Sequence, residues 1–150
     1  MARIEIDVDI NRPVEEVFDF VANSENLPRW RATALAVKKA SAGPPKLGDL
    51  FRGRFTFLGQ QFDGNLEVTA HQASHVYATE MTAGPFPLET RYTFEAIEGG
   101  TRIHFVMEGE PGGFFKMAET VVVNVARRSY ETDLQNLKDI LEAQALQDAS

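Results

Sequence analysis

Across residues 33–110 apolar side chains recur at nearly every second position, and the breaks fall on turn residues. A period of two sends alternate side chains to opposite faces of a strand. Breaks this short leave no room for crossover helices, so neighbouring strands must run antiparallel. "ATALAVKKA" is followed by the loop "SAGPPKLGD", whose Gly43, Pro44 and Pro45 exclude helix and central strand. "LFRGRFTFLGQQFDGNLEVTAH" reads as two long strands turning at Gly59 and Gln60, with Phe51, Phe55 and Phe57 on one face and Phe62, Leu66 and Val68 sharing a face of the next. "SHVYATEMT", "PLETRYTFEAI" and "TRIHFVMEGE" supply three more strands, with "AGPFP" and "EGG" as turns. The expectation is a six-stranded antiparallel meander.

The ends of the chain differ from its middle. In "RIEIDVDI" Ile4, Ile6, Val8 and Ile10 share one face and Arg3, Glu5, Asp7 and Asp9 the other, which predicts a half-buried strand. Pro13 suits a first helical turn, Asn11 lies upstream, and Glu15 and Glu16 favour a helix N-terminus. Val14, Val17, Phe18 and Val21 form one stripe of that helix, and Ser24 is expected to cap a further turn ending near Pro28 and Trp30. After Pro111, Gly112 and Gly113 the period becomes helical again, with Val123, Ala126, Tyr130, Leu134, Leu137 and Leu141 in line. Val121, Val122 and Val123 alone read as strand, but the stripe outweighs them. A helix from near residue 115 to residue 142 would be ~40 Å long, enough to cross a small domain. The last few residues read as a frayed tail.

Length and composition then bound the function. The 150 residues amount to one domain, expected to span 1–150. Lys and Arg number 15 against 22 Asp and Glu, a formal net charge of −7 with no basic stripe, which argues against nucleic acid or an anionic membrane as main partner. The absence of cysteine excludes disulfides, thiolate metal sites and a cysteine nucleophile. The N-terminus lacks the continuous apolar core of a signal peptide, and no apolar run approaches the ~20 residues of a membrane span. A cytoplasmic domain without stable membrane insertion is expected.

"I-x-R-P-V-E-E-V-F-D-F-V", then "L-P-R-W", "GGTRIHF" and "L-Q-N-L-K-D-I-L-E" together resemble the START-like, or SRPBCC, superfamily, which includes polyketide cyclase-like and Bet v 1-like proteins. The resemblance covers almost the whole chain. It implies an α+β helix-grip fold: a seven-stranded bent antiparallel sheet wrapped around a long C-terminal helix, with two short helices after the first strand. It also implies a deep, largely apolar cavity between sheet and helix. It does not fix a function, since lipid carriers, hormone receptors, cyclases and chaperone activators share the fold.

Strand parity nominates the residues facing that cavity. Leu88, Thr90, Tyr92 and Phe94 share one face, as do Ile103, Phe105 and Met107; Tyr77, Thr79 and Met81 are assigned inward although Val76 and Ala78 argue the other way. The expected ligand-binding set is Trp30, Phe55, Phe57, Tyr77, Met81, Tyr92, Phe94, Phe105, Ala126 and Tyr130. Trp30 is read as core and cavity wall together. Phe114 and Phe115, at the mouth of the long helix, could be a lid, a dimer contact or plain packing.

Catalytic signals are sparse. His71, His75 and His104 read as exposed strand-end residues, with no supporting carboxylate cluster, so no metal and no cofactor is expected. Glu67, Glu80, Arg52, Arg54, Arg91 and Glu108 fall mostly on the outer face as cross-strand charge pairs, Arg54 with Glu67 first among them. No "G-x-S-x-G" occurs, and Ser41, Ser74 and Ser129 lack an evident histidine partner, so catalytic residues stay unassigned. The reading favoured is binding of a small hydrophobic molecule (lipid, polyketide, or another aromatic or isoprenoid-like compound), oriented by Tyr77, Tyr92 or Tyr130. The alternatives are a polyketide cyclase/aromatase-type enzyme and a protein-interaction module of the chaperone-activator kind. A homodimer is compatible with each.

Overall fold

The computed structural model describes residues 2–83, 87–109 and 119–148. Phe114, Phe115 and the expected helix start near residue 115 lie outside the described residues. Seven strands form one sheet in the order β1-β7-β6-β5-β4-β3-β2, with every neighbouring pair antiparallel. The strands are β1 Ala2–Ile10, β2 Ala34–Lys39, β3 Leu50–Phe57, β4 Gln60–Gln72, β5 Val76–Ala83, β6 Leu88–Ile97 and β7 Gly100–Gly109. The meander is present as expected. β1 adds to its far edge beside β7, with Ile4 opposite Met107 and Ile10 opposite Thr101.

The two short helices carry the chain from that edge to the opposite one. α1, Val14–Val21, buries Val17, Phe18 and Val21, and Phe18 meets Phe94 edge-on at 5.2 Å. A 3-10 turn at Ser24–Asn26 leads into α2, Leu27–Trp30. Asn23, not Ser24, caps this turn: its backbone is extended and its side chain accepts from the Glu25 N–H at 3.2 Å. Ser24, already in the turn, points inward and hydrogen-bonds the Tyr77 hydroxyl at 2.6 Å.

The β3–β4 hairpin turns one residue earlier than expected. Phe57 pairs with Gln60, so Leu58 and Gly59 form the turn, at φ 50° and 79°. Two positive φ values match the twist of a tight hairpin, at a steric cost for Leu58 that Gly59 avoids. The same register places Arg54 opposite Asp63, with 3.3 Å between their side chains, and Glu67 opposite Leu50. Arg54 therefore pairs with Asp63 rather than Glu67. Further along the hairpin Gly53 faces Gly64, and a Cβ on Gly53 would come within 2.8 Å of the Phe55 ring. The ring lies over backbone that only glycine leaves bare.

Tyr77, Thr79 and Met81 of β5 are buried, and so is Ala78 between them, beside a β4 irregularity at Val68/Ala70. His71 is half-buried rather than exposed, edge-on to Phe18 at 5.4 Å and to Tyr77 at 6.2 Å. His75 is exposed, and His104 hydrogen-bonds Asp7 across the β1–β7 pair. One row of the sheet's outer face is acidic. Glu67 sits opposite Glu80, Glu80 opposite Glu89 and Glu89 opposite Glu108, while Arg3 closes the row with an ion pair to Glu108.

α3, Glu119–Asp148, takes in the valine run and continues past residue 142, because "AQALQD" is built mostly of good helix formers. It lies along β1, where the Lys138 ammonium donates to the Asp9 carbonyl at 2.7 Å. Ala126, Tyr130, Leu134, Leu137 and Leu141 are buried as expected, and Asp133 is buried with them. Among the described residues no helix is long and apolar enough to cross a membrane.

Candidate functional site

Between the inner face of the sheet and the helices α2 and α3 lies a cavity in which the centre of a water-sized molecule has about 100 Å³ to move. That is room for an aromatic ring or a short alkyl segment without rearrangement. Phe55, Phe57, Tyr77, Met81, Tyr92, Ala126 and Tyr130 line it. Trp30, Phe94 and Phe105 are buried but lie behind the lining. Trp30 meets Tyr92 edge-on at 6.1 Å, and Phe105 tilts against Tyr92 at 5.4 Å and Tyr130 at 5.0 Å, so these rings brace the tyrosines that reach the cavity. Phe94 faces inward but pairs with Phe18 of α1. Parity places a side chain on a face; which helix covers that part of the face decides whether it reaches open space.

The charged part of the wall comes from a residue that no sequence pattern marks. Arg31, the residue that ends α2, lines the cavity. Its side chain is only 12% exposed, and its guanidinium lies over the Tyr130 ring at 4.8 Å. Its Nε is 3.8 Å from Oδ2 of Asp133, an ion pair too long for a hydrogen bond. The other carboxylate oxygen of Asp133 accepts from the Ala32 N–H at 3.1 Å. Arg31 Nε, Asp133 Oδ2 and the Tyr92 hydroxyl have no hydrogen-bond partner among the described residues. Tyr77, by contrast, is closed off by Ser24.

Burial dominates the titration of this cluster. It pushes the Tyr77 hydroxyl up to about 12 against the opposing hydrogen bond from Ser24. It raises Tyr92 as well, although Arg31 pulls the other way. Both tyrosines are therefore proton-bearing donors at neutral pH. Burial also raises the Asp133 carboxyl above its ordinary range, outweighing the Ala32 N–H and Arg31. For Arg31, burial works against the charge, but Tyr130, Tyr92 and Asp133 together hold its pKa above the usual arginine value.

The described lining holds serine, threonine and tyrosine hydroxyls and one cation, but no histidine or carboxylate. Such a wall can bury apolar surface and grip an oxygen; its proton-transfer groups are limited to hydroxyls. Asp133 was legible in principle, since it falls on the apolar stripe of α3 three residues after Tyr130. A four-residue helix such as α2 has no periodicity from which Arg31 could be placed.

A seven-stranded antiparallel sheet closed over a long C-terminal helix is the helix-grip architecture. The chain belongs to the family described as polyketide cyclase / dehydrase and lipid transport, which it matches over residues 1–142. Among solved structures it is similar to the major latex-like protein 151 of Panax ginseng, with TM-score 0.71 at 12% identity over 95% of this chain and 96% of that one. It is similar to the Aha1 dimer from Colwellia psychrerythraea, with TM-score 0.65 at 20% identity over 95% and 97%. The di-domain ARO/CYC BexL of the BE-7585A biosynthetic pathway matches with TM-score 0.69 at 19% identity, over 95% of this chain and 47% of BexL. No curated protein matches the sequence significantly. At these identities the likeness extends to the fold.

Proposed function

We propose that the protein binds a small, largely hydrophobic molecule in the cavity between sheet and α3. The observation that carries this reading is an apolar space interrupted by a few hydroxyls and one guanidinium, in a chain whose family description includes lipid transport. Transfer of the ligand's apolar surface out of water drives binding, and the tyrosine hydroxyls orient it. The test is native mass spectrometry of freshly purified protein with organic extraction of anything retained, alongside uptake of an apolar fluorescent dye. A small-molecule adduct or saturable dye binding, weakened by filling the space with Ala126→Phe, supports the reading. A clean mass with no dye uptake removes it.

A second reading, an aromatase/cyclase-type enzyme, has one observation in its favour. The unpartnered Tyr92 hydroxyl and Arg31 Nε are two donors suited to a carbonyl oxygen, whose enolate they would stabilise. A poly-keto substrate analogue cyclised faster with the wild-type protein than with Tyr92→Phe would favour it. Association into a homodimer belongs to the same set of proposals and is measured by sedimentation.

A further inference from the structure

We infer that the Arg31 end of the cavity recognises a carboxylate, so that the ligand is an amphiphilic acid held head-first against Arg31 and Tyr92. This rests on the cavity being a ligand site and adds the chemical class of the molecule. An arginine is a costly residue to place in an apolar wall, because its charge must leave water. Here the cost is only partly offset. The counter-charge, Asp133, stands 3.8 Å from Nε without a hydrogen bond and gives its other oxygen to the Ala32 backbone. It balances the charge while leaving Nε without an acceptor.

The Tyr92 hydroxyl, on a lining residue only 2% exposed, is in the same position: a buried donor with nothing to donate to. The Tyr130 ring beneath the guanidinium, 4.8 Å away, limits the space in which it can move. Two unsatisfied donors on residues of this wall, one of them on a cation, outnumber the single unsatisfied acceptor nearby, Asp133 Oδ2, and point to what completes the site. It is an acceptor with several lone pairs and a negative charge, on a molecule otherwise apolar. A carboxylate meets each condition, and an alcohol offers a single weaker acceptor. The rest of the wall, Phe55, Leu66, Met81 and Val123 among it, takes the tail.

The experiment is calorimetric titration of the wild-type protein at neutral pH with octanoate and with 1-octanol, which share a tail and differ in the head. Octanoate is expected to bind at least about tenfold tighter, the scale of a charge-assisted hydrogen bond. Arg31→Met is expected to abolish the preference, bringing octanoate down to the level of octanol. Tyr92→Phe, which removes one oxygen and so keeps the fold should Arg31→Met lose it, is expected to weaken octanoate about threefold and octanol by less. Equal affinity for the two ligands in the wild type overturns the carboxylate assignment and leaves the cavity reading standing. So does a preference for octanoate that survives in Arg31→Met. Failure of both ligands and of the apolar dye overturns the cavity reading and this inference together.

Discussion

Among the described residues two aspartates are buried, each 1% exposed, and their surroundings push them in opposite directions. Asp49 sits at the end of the β2–β3 loop, where it accepts from the Lys46 N–H at 2.8 Å and the Ser41 hydroxyl at 3.0 Å, with the Lys39 ammonium at 3.5 Å. Burial alone would raise its pKa, yet these donors hold it below the ordinary carboxylate value. Asp133 has one backbone donor and a distant guanidinium, and burial keeps its pKa above that value. The first carboxylate is saturated because a loop rich in glycine and proline has no ladder of its own and needs an internal anchor. The second is left incomplete beside the cavity. A complete set of partners holds a buried carboxylate charged, and an incomplete one leaves its charge poorly compensated.

Breaking the saturated site should have the largest effect. Asp49→Ala leaves the Lys46 N–H, Ser41 and Lys39 without their acceptor, and urea unfolding should show a loss of about 3 kcal/mol. The tyrosines repeat the contrast on a smaller scale. Tyr77→Phe strands the Ser24 hydroxyl and should cost about 1 kcal/mol by thermal unfolding, whereas Tyr92→Phe, which removes an unpartnered group, should stay within about 0.5 kcal/mol of wild type. Asp133→Asn should be neutral or stabilising by less than about 1 kcal/mol at pH 7. Its raised pKa means that the charged carboxyl is less favoured in the fold, with Arg31 included, than in the unfolded chain.

The two sites should also separate by pH. The folded pKa of Asp49 lies below its unfolded value, so its contribution is present above that unfolded value and lost as pH falls through the folded one. The deficit of Asp49→Asn should therefore shrink on acidification below about pH 4. For Asp133 the order is reversed: the unfolded chain releases its proton first. The stability from holding that proton is present below the unfolded pKa and lost as pH rises through the folded one. Any advantage of Asp133→Asn should be absent near pH 3 and emerge as pH rises. A parallel drift of the two variants in denaturation series across pH would erase the distinction.

The parts of the fold legible in the sequence were those whose physics is periodic. Strict alternation in β6 and β7 placed Tyr92, Ile103 and Phe105 on the buried face, and the stripe from Ala126 to Leu141 placed α3 against the sheet. The hairpin register was not legible, because nothing about Leu58 announces a positive φ, and the register that forms gives Arg54 Asp63 as its partner rather than Glu67. In the cavity, parity nominated Tyr77, Met81 and Tyr92 among the lining but could not show that Phe94 would be covered by α1 or that Trp30 would stand behind Tyr92. The cluster of Arg31 and Asp133 depends on a short helix meeting a long one a hundred residues away in sequence, and no local pattern encodes that meeting.

The row of glutamates from Glu67 to Glu108 gives the back of the sheet the character of a short polyelectrolyte. Like charges lie on adjacent strands about 5 Å apart, well inside the Debye length of about 8 Å at physiological ionic strength, so they strain the sheet least when counter-ions are plentiful. Two copies approaching back to back would bring one such row onto another, and the repulsion would grow as the buffer is diluted.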